Sequence, residues 1–120
     1  MSDLNRVFVT GVGAVSACGH SADALLDAVL AGETGIAPIK NANLSSWSHQ
    51  LGGELKNYVP RKMLPDRKLL KAISRQDVLG IHAATQALEQ SNIMPYQQSL
   101  SSTGALEAFN DQTGVYVGSP

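Results

Sequence analysis

The order of patterns along the chain predicts an α/β fold. Three observations carry that expectation. A short, continuously apolar and β-rich run occupies residues 6–10, and a second occupies residues 113–117. Between them lie two stretches whose apolar residues recur at helical spacing. Strands alternating with helices imply right-handed crossovers and a parallel or mixed sheet. So few strands beside two one-sided helices leave much apolar surface uncovered, so the pattern reads as the front of a larger domain.

The first run, Arg6-Val7-Phe8-Val9-Thr10, ends at Gly11. An unbroken apolar run of this kind suits a strand buried on both faces. The first helix is expected from Ser21 to Ala31. Ser21 suits the N-cap, and Asp23 suits the positive end of the helix dipole. Ala22, Leu25, Leu26, Val29 and Leu30 form one stripe. Gly32 is the expected stop. Residues 37–49 read as irregular, and Leu51 to Leu55 as a short strand weakened by Gly52 and Gly53. Pro60 and Pro65 keep any helix between residues 56 and 67 short. A long helix is expected from about Asp66 to Ser91, with Leu69, Leu70, Ile73, Ala84, Ala87 and Leu88 on its stripe. Gly80 within it suggests close packing against another backbone. Asn92 suits a left-handed cap and Pro95 stops the helix. Residues 100–104 read as a flexible polar connection.

Composition narrows the function classes. The 120 residues carry nine Lys+Arg and ten Asp+Glu, a formal charge of -1, so no overall bias points to nucleic acid or an anionic membrane. No apolar run approaches the length of a spanning helix. One cysteine, Cys18, excludes an internal disulfide framework and a cysteine-based zinc cage, and suggests a reducing, cytoplasmic setting. The start of the chain lacks the basic n-region of a signal peptide.

Several residues invite a chemical reading. Gly11 and Gly13 follow the first strand as in a nucleotide-binding turn, but Ser16 stands where the third glycine belongs. The helix also starts only near Ser21, so the strand-turn-helix context is missing and a backbone-permissive turn is the simpler reading. Cys18 has His20 two residues away, yet a small cysteine beside Ala17 and Gly19 reads as packing rather than as a nucleophile. His20, His49 and His82 have no metal-ligand spacing, and His82 reads as a surface or partly buried packing residue. Trp47 in its polar loop reads as a loop anchor.

The charge pattern says more than the net charge. Lys56, Arg61, Lys62, Arg67, Lys68, Lys71 and Arg75 fall within residues 56–75, opposed only by Asp66, for a local balance of +6. On one continuous helix Lys68, Lys71 and Arg75 share a face. Such a face is either solvated surface or a docking site for an acidic partner. No aromatic residues interleave it as a single-strand nucleic-acid surface requires.

The residues also carry a family resemblance. The opening R-V-F-V-T-G-V-G-A-V-S from Arg6 to Ser16 resembles that of the β-ketoacyl synthases, the condensing enzymes of fatty acid and polyketide synthesis. So do Leu30-Ala31-Gly32-Glu33-Thr34-Gly35-Ile36, the stretch from Ile73 through Leu79-Gly80-Ile81 to Glu89, and Thr113 to Ser119. The resemblance implies an incomplete thiolase-like fold with α/β/α/β/α layers, of which residues 1–120 would form the N-terminal portion of the first half. It implies a cytoplasmic homodimer that loads an acyl group from acyl carrier protein onto a cysteine. Decarboxylated malonyl carrier protein then attacks that thioester. The nucleophile and the two histidines of that chemistry lie later in the family's sequence, so no catalytic residue, cofactor site or metal site is carried over. Cys18 does not inherit the nucleophile role.

What the resemblance does carry over is docking of the acidic acyl carrier protein. Lys68 and Lys71 fall on its basic positions when Leu79-Gly80-Ile81 is the anchor. Ala72 replaces a neighbouring basic residue, and Arg67 and Arg75 join by proximity. Three readings follow. The chain is the N-terminal segment of a β-ketoacyl-acyl-carrier-protein synthase, inactive alone. Alternatively it is a stand-alone binding or scaffold protein that dimerises or pairs with a longer synthase. A nucleotide-binding module at Gly11 and Gly13 is the third.

Overall fold

The computed structural model describes residues 6–118; the charged start, 1–5, and Ser119 and Pro120 of the last family-like motif lie outside them. Helix α1 runs Ala22–Leu30, with the Ser21 hydroxyl accepting the Ala24 N–H as its cap. Gly32 follows at φ 71°, the left-handed stop expected from the sequence. Strand β1, Ile36–Pro38, pairs antiparallel with β2, Leu51–Gly53, bringing Ile36 opposite Gly53. Helix α2, Pro60–Met63, begins on a proline, whose missing N–H costs nothing at a first turn. A 3-10 helix, Arg67–Lys71, precedes α3, Arg75–Ser91, and α4, Ile93–Ser99, and α5, Thr103–Asp111, follow.

The long helix expected from Asp66 is therefore two elements. Ser74 separates them with a reciprocal cap: its hydroxyl accepts the Asp77 N–H at 3.2 Å, and the Asp77 carboxylate accepts the Ser74 N–H at 2.8 Å. Those bonds favour the ionised carboxylate and hold Asp77 below the usual aspartate range. Asn92 closes α3 in the left-handed region at φ 54°. Pro95 does not end the helical region, because it sits in the first turn of α4, where its missing N–H has no partner to lose. Residues 103–111, expected in part as a flexible connection, form α5 under the Ser102 cap. Tyr96 and Phe109 meet at 5.9 Å between ring centroids and join α4 to α5.

The two expected strands differ most from the sequence reading. Residues 6–10 and 113–117 are described, but neither belongs to a strand, and among the described residues no buried sheet forms. Val7 is 91% exposed, Phe8 74%, Tyr116 96% and Val117 85%. A buried strand needs neighbours on its edges and layers on its faces, and these segments lie beside α3 and Ile93 at the start of α4 without a paired strand among the described residues. Val9, Thr10, Gly11 and Val115 line one apolar groove over Ala84, Ala87 and Leu88 of that helix.

Gly11 and Gly13 serve that crossing. A Cβ on Gly11 would overlap the Ala87 carbonyl oxygen, and one on Gly13 the Ala83 carbonyl oxygen. Gly80 has nothing within 4 Å of an added Cβ, so it marks no close backbone approach. Polar side chains of α3 complete the join. Gln90 Oε1 accepts the Val12 N–H at 2.6 Å, and Gln86 Nε2 donates to the His20 carbonyl at 2.7 Å.

Among the described residues, Ala28, Met63, Leu64 and Val78 are the buried apolar ones. Met63, Leu64 and Val78 form a cluster joined by Val15, Tyr58, Leu70, Ile73, Leu79 and Ile81, where α2, the 3-10 helix and α3 meet. The radius of gyration is 18.9 Å, against about 13.6 Å for a compact domain of this length. The accessible surface is 9986 Å², against about 6,200 Å² for a compact monomer of this mass. The excess is about 3,800 Å² of accessible surface.

His82 ties three segments together from α3. Its Nδ1 lies 3.2 Å from the Met63 carbonyl oxygen and its Nε2 3.2 Å from that of His20. It is thus a half-buried cross-link, the partly buried packing role that the sequence allowed. A neutral imidazole donates through only one nitrogen, yet the His20 carbonyl also has Gln86. The partner that then depends on His82 is the Met63 carbonyl at the end of α2. His82→Leu is expected to lower unfolding stability by about 1–2 kcal/mol, the cost of leaving the carbonyl of a buried residue unpaired. Urea unfolding of the two proteins checks this.

Candidate functional site

The basic stretch lies over the buried cluster of Met63, Leu64 and Val78. Met63 and Leu64 pin the end of α2, while Leu70 and Ile73 pin the 3-10 helix and its exit onto the same cluster. Arg61, Lys62, Arg67, Lys68, Lys71 and Arg75 are all exposed above it. Lys56 is exposed on the segment that precedes α2.

Helix type decides how the cations are arranged. A 3-10 helix has three residues per turn, so positions i and i+3 eclipse. Lys68 and Lys71 therefore stand one turn apart on one edge of Arg67–Lys71. Arg75 does not continue that edge, because the backbone breaks at Ala72 and restarts after Ser74. Asp66 is the one acid of the run, and its carboxylate accepts the Lys68 backbone N–H at 2.8 Å as the N-cap of the 3-10 helix. That bond turns the acid toward the backbone. Arg75 instead stacks on Tyr58, with the guanidinium carbon 4.5 Å from the ring centroid.

The other sequence candidates gather no comparable site. Ser16 and Gly19 exchange backbone hydrogen bonds of 2.8 and 3.2 Å, folding residues 16–19 into a tight turn. Cys18 is half-buried on that turn and its N–H donates to the Ser16 hydroxyl at 3.2 Å. Cys18, His20 and Lys56 border an open cavity of about 260 Å³. His20 enters the packing through its carbonyl, which accepts from Gln86 Nε2 and lies 3.2 Å from His82 Nε2. Gly11 and Gly13 face α3, and α1 starts only at Ala22, so these glycines form no phosphate cradle at a helix N-terminus. Trp47 is 66% exposed and anchors nothing with its ring.

A second acid with a defined task is Glu54, which follows β2. Its carboxylate accepts the backbone N–H groups of Lys40 and Asn41, both at 2.8 Å, and closes the loop between β1 and β2. The Lys40 N–H, then the Asn41 N–H, hold its carboxyl below the usual glutamate range. Because the folded value is depressed, this contribution is complete above the unfolded-chain value and lost as pH falls through the folded one. The protection factors of the Lys40 and Asn41 amides, relative to the intrinsic exchange rate at each pH, are expected to fall on acidification below the usual glutamate range. Glu54→Gln should show the reduced protection already at neutral pH.

Residues 4–120 match the family model described as "Beta-ketoacyl synthase, N-terminal domain". The chain belongs to the β-ketoacyl synthase family. Among its curated relatives is a 3-oxoacyl-[acyl-carrier-protein] synthase 2 of Coxiella burnetii, 33% identical over 94 residues, which are 76% of this chain and 22% of that protein. The protein of the same name in Staphylococcus aureus strain COL is 30% identical over 119 residues, 99% of this chain and 26% of that protein. Nodulation protein E of Rhizobium leguminosarum bv. trifolii is 30% identical over 100 residues, 83% of this chain and 24% of that protein. The chain thus spans about a quarter of the length of these β-ketoacyl synthase relatives.

Among the described residues, no helix is long and apolar enough to cross a membrane. The signal for the lysine pair was present in the composition of residues 56–75. The signal for its geometry was the Ser74-x-x-Asp77 capping pattern, which marks where the regular helix starts.

Proposed function

We propose that this chain is the N-terminal portion of a β-ketoacyl-acyl-carrier-protein synthase and supplies part of the surface that docks the acidic carrier protein. The observation that carries the reading is the Lys68–Lys71 pair, eclipsed on a short helix pinned to the buried cluster, with Asp66 turned to the backbone. A merely solvated face needs no such support. Two ammonium groups held one turn apart match an acidic helix that presents carboxylates at similar spacing. The names of the relatives supply the partner class.

In this reading residues 1–120 are the front of a thiolase-like layered domain. The exposed segments 6–10 and 113–117 are strands awaiting their sheet, in keeping with the surface excess of about 3,800 Å² over a compact monomer. Decarboxylative condensation of acyl and malonyl thioesters then belongs to the longer polypeptide, in the cytoplasm and as a dimer. Within this chain Cys18 stays unacylated. Mass spectrometry after incubation with acyl carrier protein checks that, and a thioester on Cys18 would move the chemistry into this segment.

The exposed apolar segments also favour a second reading, in which the chain pairs with itself or with a full-length synthase to cover them. Sedimentation of the purified chain separates the two. A defined dimer supports pairing, and a monomer with exposed apolar surface supports the incomplete-domain reading.

Titration with an acidic acyl carrier protein at increasing salt tests docking itself. Binding that weakens steeply between low and high salt is expected. Affinity that is absent, or indifferent to salt, removes the proposal.

A further inference from the structure

Arg75 differs from the other cations of the basic stretch in what it touches. Its guanidinium lies over the Tyr58 ring at 4.5 Å, within reach of the ring's negative face. Tyr58 is half-buried and packs against the Met63, Leu64 and Val78 cluster. Arg75 is the first residue of α3, directly after the Ser74 cap and just past the 3-10 helix that bears Lys68 and Lys71. The stack therefore ties the joint between those two helices to the segment that leads into α2. Helix α2 carries Arg61 and Lys62, and it touches both the 3-10 helix and α3.

We infer that Arg75 and Tyr58 form a strut that fixes the Lys68–Lys71 edge relative to the cations of α2. Arg75 is then a positioning residue for the acidic partner, and Tyr58 is its uncharged half. This rests on the docking reading and refines it: the partner's carboxylates meet Lys68 and Lys71, while Arg75 keeps them in place. The consequence is that a neutral, half-buried tyrosine controls the affinity of an electrostatic contact.

The test compares Tyr58→Leu, Tyr58→Phe and Arg75→Gln for affinity toward an acidic acyl carrier protein and for the salt dependence of that affinity. Tyr58→Leu and Arg75→Gln are each expected to weaken binding about three- to tenfold. Their salt slope should stay that of the unaltered chain, because no ion pair with the partner has been removed. Tyr58→Phe keeps the ring face and should stay within about twofold. A shallower slope for Arg75→Gln with unchanged binding by Tyr58→Leu makes Arg75 a direct contact and overturns the strut.

The free chain offers an independent readout. Ring current should move the Arg75 side-chain proton resonances upfield in the unaltered chain and in Tyr58→Phe, and leave them at ordinary positions in Tyr58→Leu. Ordinary positions in the unaltered chain overturn the strut whether or not a carrier protein binds. An upfield shift in a chain that binds no carrier protein overturns the docking reading instead, and the positioning role with it.

Discussion

Gly13→Ala is expected to destabilise the chain by about 3 kcal/mol or more, the upper range for forcing atoms into a packed contact. The added Cβ would overlap the Ala83 carbonyl oxygen, lie 2.8 Å from the Ala83 carbonyl carbon, and lie 3.0 Å from the Gln86 Cβ. The first two belong to the backbone of α3 and cannot turn aside as a flexible side chain would. The segment must lift, and it then gives up the Val12 N–H bond to Gln90 and the Ala14 contacts with Gln86. Gly80→Ala is the control. That glycine lies within α3 with open space where a Cβ would go, so alanine should stabilise by about 0.5–1 kcal/mol through helix propensity alone. Chemical denaturation of the two variants should therefore move in opposite directions. Equal, small shifts would mean that residues 11–14 do not lie against α3 in solution.

That pair of glycines also shows what the sequence could and could not reveal. Gly80 looks like a packing glycine because it interrupts a helix, and Gly13 looks like a turn glycine because it follows an apolar run. Their tasks depend on what crosses them, which is tertiary information. Helix α1 was legible because its determinants are local: the Ser21 cap, the apolar spacing and the Gly32 stop all lie within one short stretch. The start of α3 was blurred by the apolar spacing of Leu69, Leu70 and Ile73, which runs on across two elements. Helix α5 carries its own cap at Ser102 and apolar spacing through Ala105, Leu106 and Phe109, but its first two residues, Thr103 and Gly104, continue a polar stretch that also suits a flexible connection.

Residues 6–10 and 113–117 have strand-like composition without strand partners, since hydrogen-bonded neighbours are not encoded in a segment itself. The same division holds at the candidate site. Clustering of the cations is a property of composition and is visible in the sequence. The eclipsed lysine pair and the turn of Arg75 toward Tyr58 follow from helix type and packing. The first marked a region, and only the second separates the exposed lysine edge from the arginine that stacks on Tyr58.

That separation sharpens the second large effect. Lys68→Glu with Lys71→Glu is expected to weaken binding of an acidic carrier protein about 30-fold or more at low ionic strength, since each change replaces an attraction with a repulsion at one edge. Both side chains are exposed, so the loss should shrink as salt rises and the Debye length falls to about 3 Å at molar concentration. The double variant should also show a flatter salt dependence than the unaltered chain. Folding should be little changed, because neither lysine enters the buried cluster, and the Asp66 cap uses the backbone of Lys68 rather than its side chain. Arg67→Glu changes charge by the same amount per residue on the same short helix but lies off the Lys68–Lys71 edge. It should cost less than either lysine reversal. If all three single reversals weaken binding equally, the partner responds to net charge rather than to an edge, and the docking surface is wider than the lysine pair. Unchanged affinity in the double variant leaves the basic stretch as solvated surface and moves any carrier contact elsewhere on the molecule.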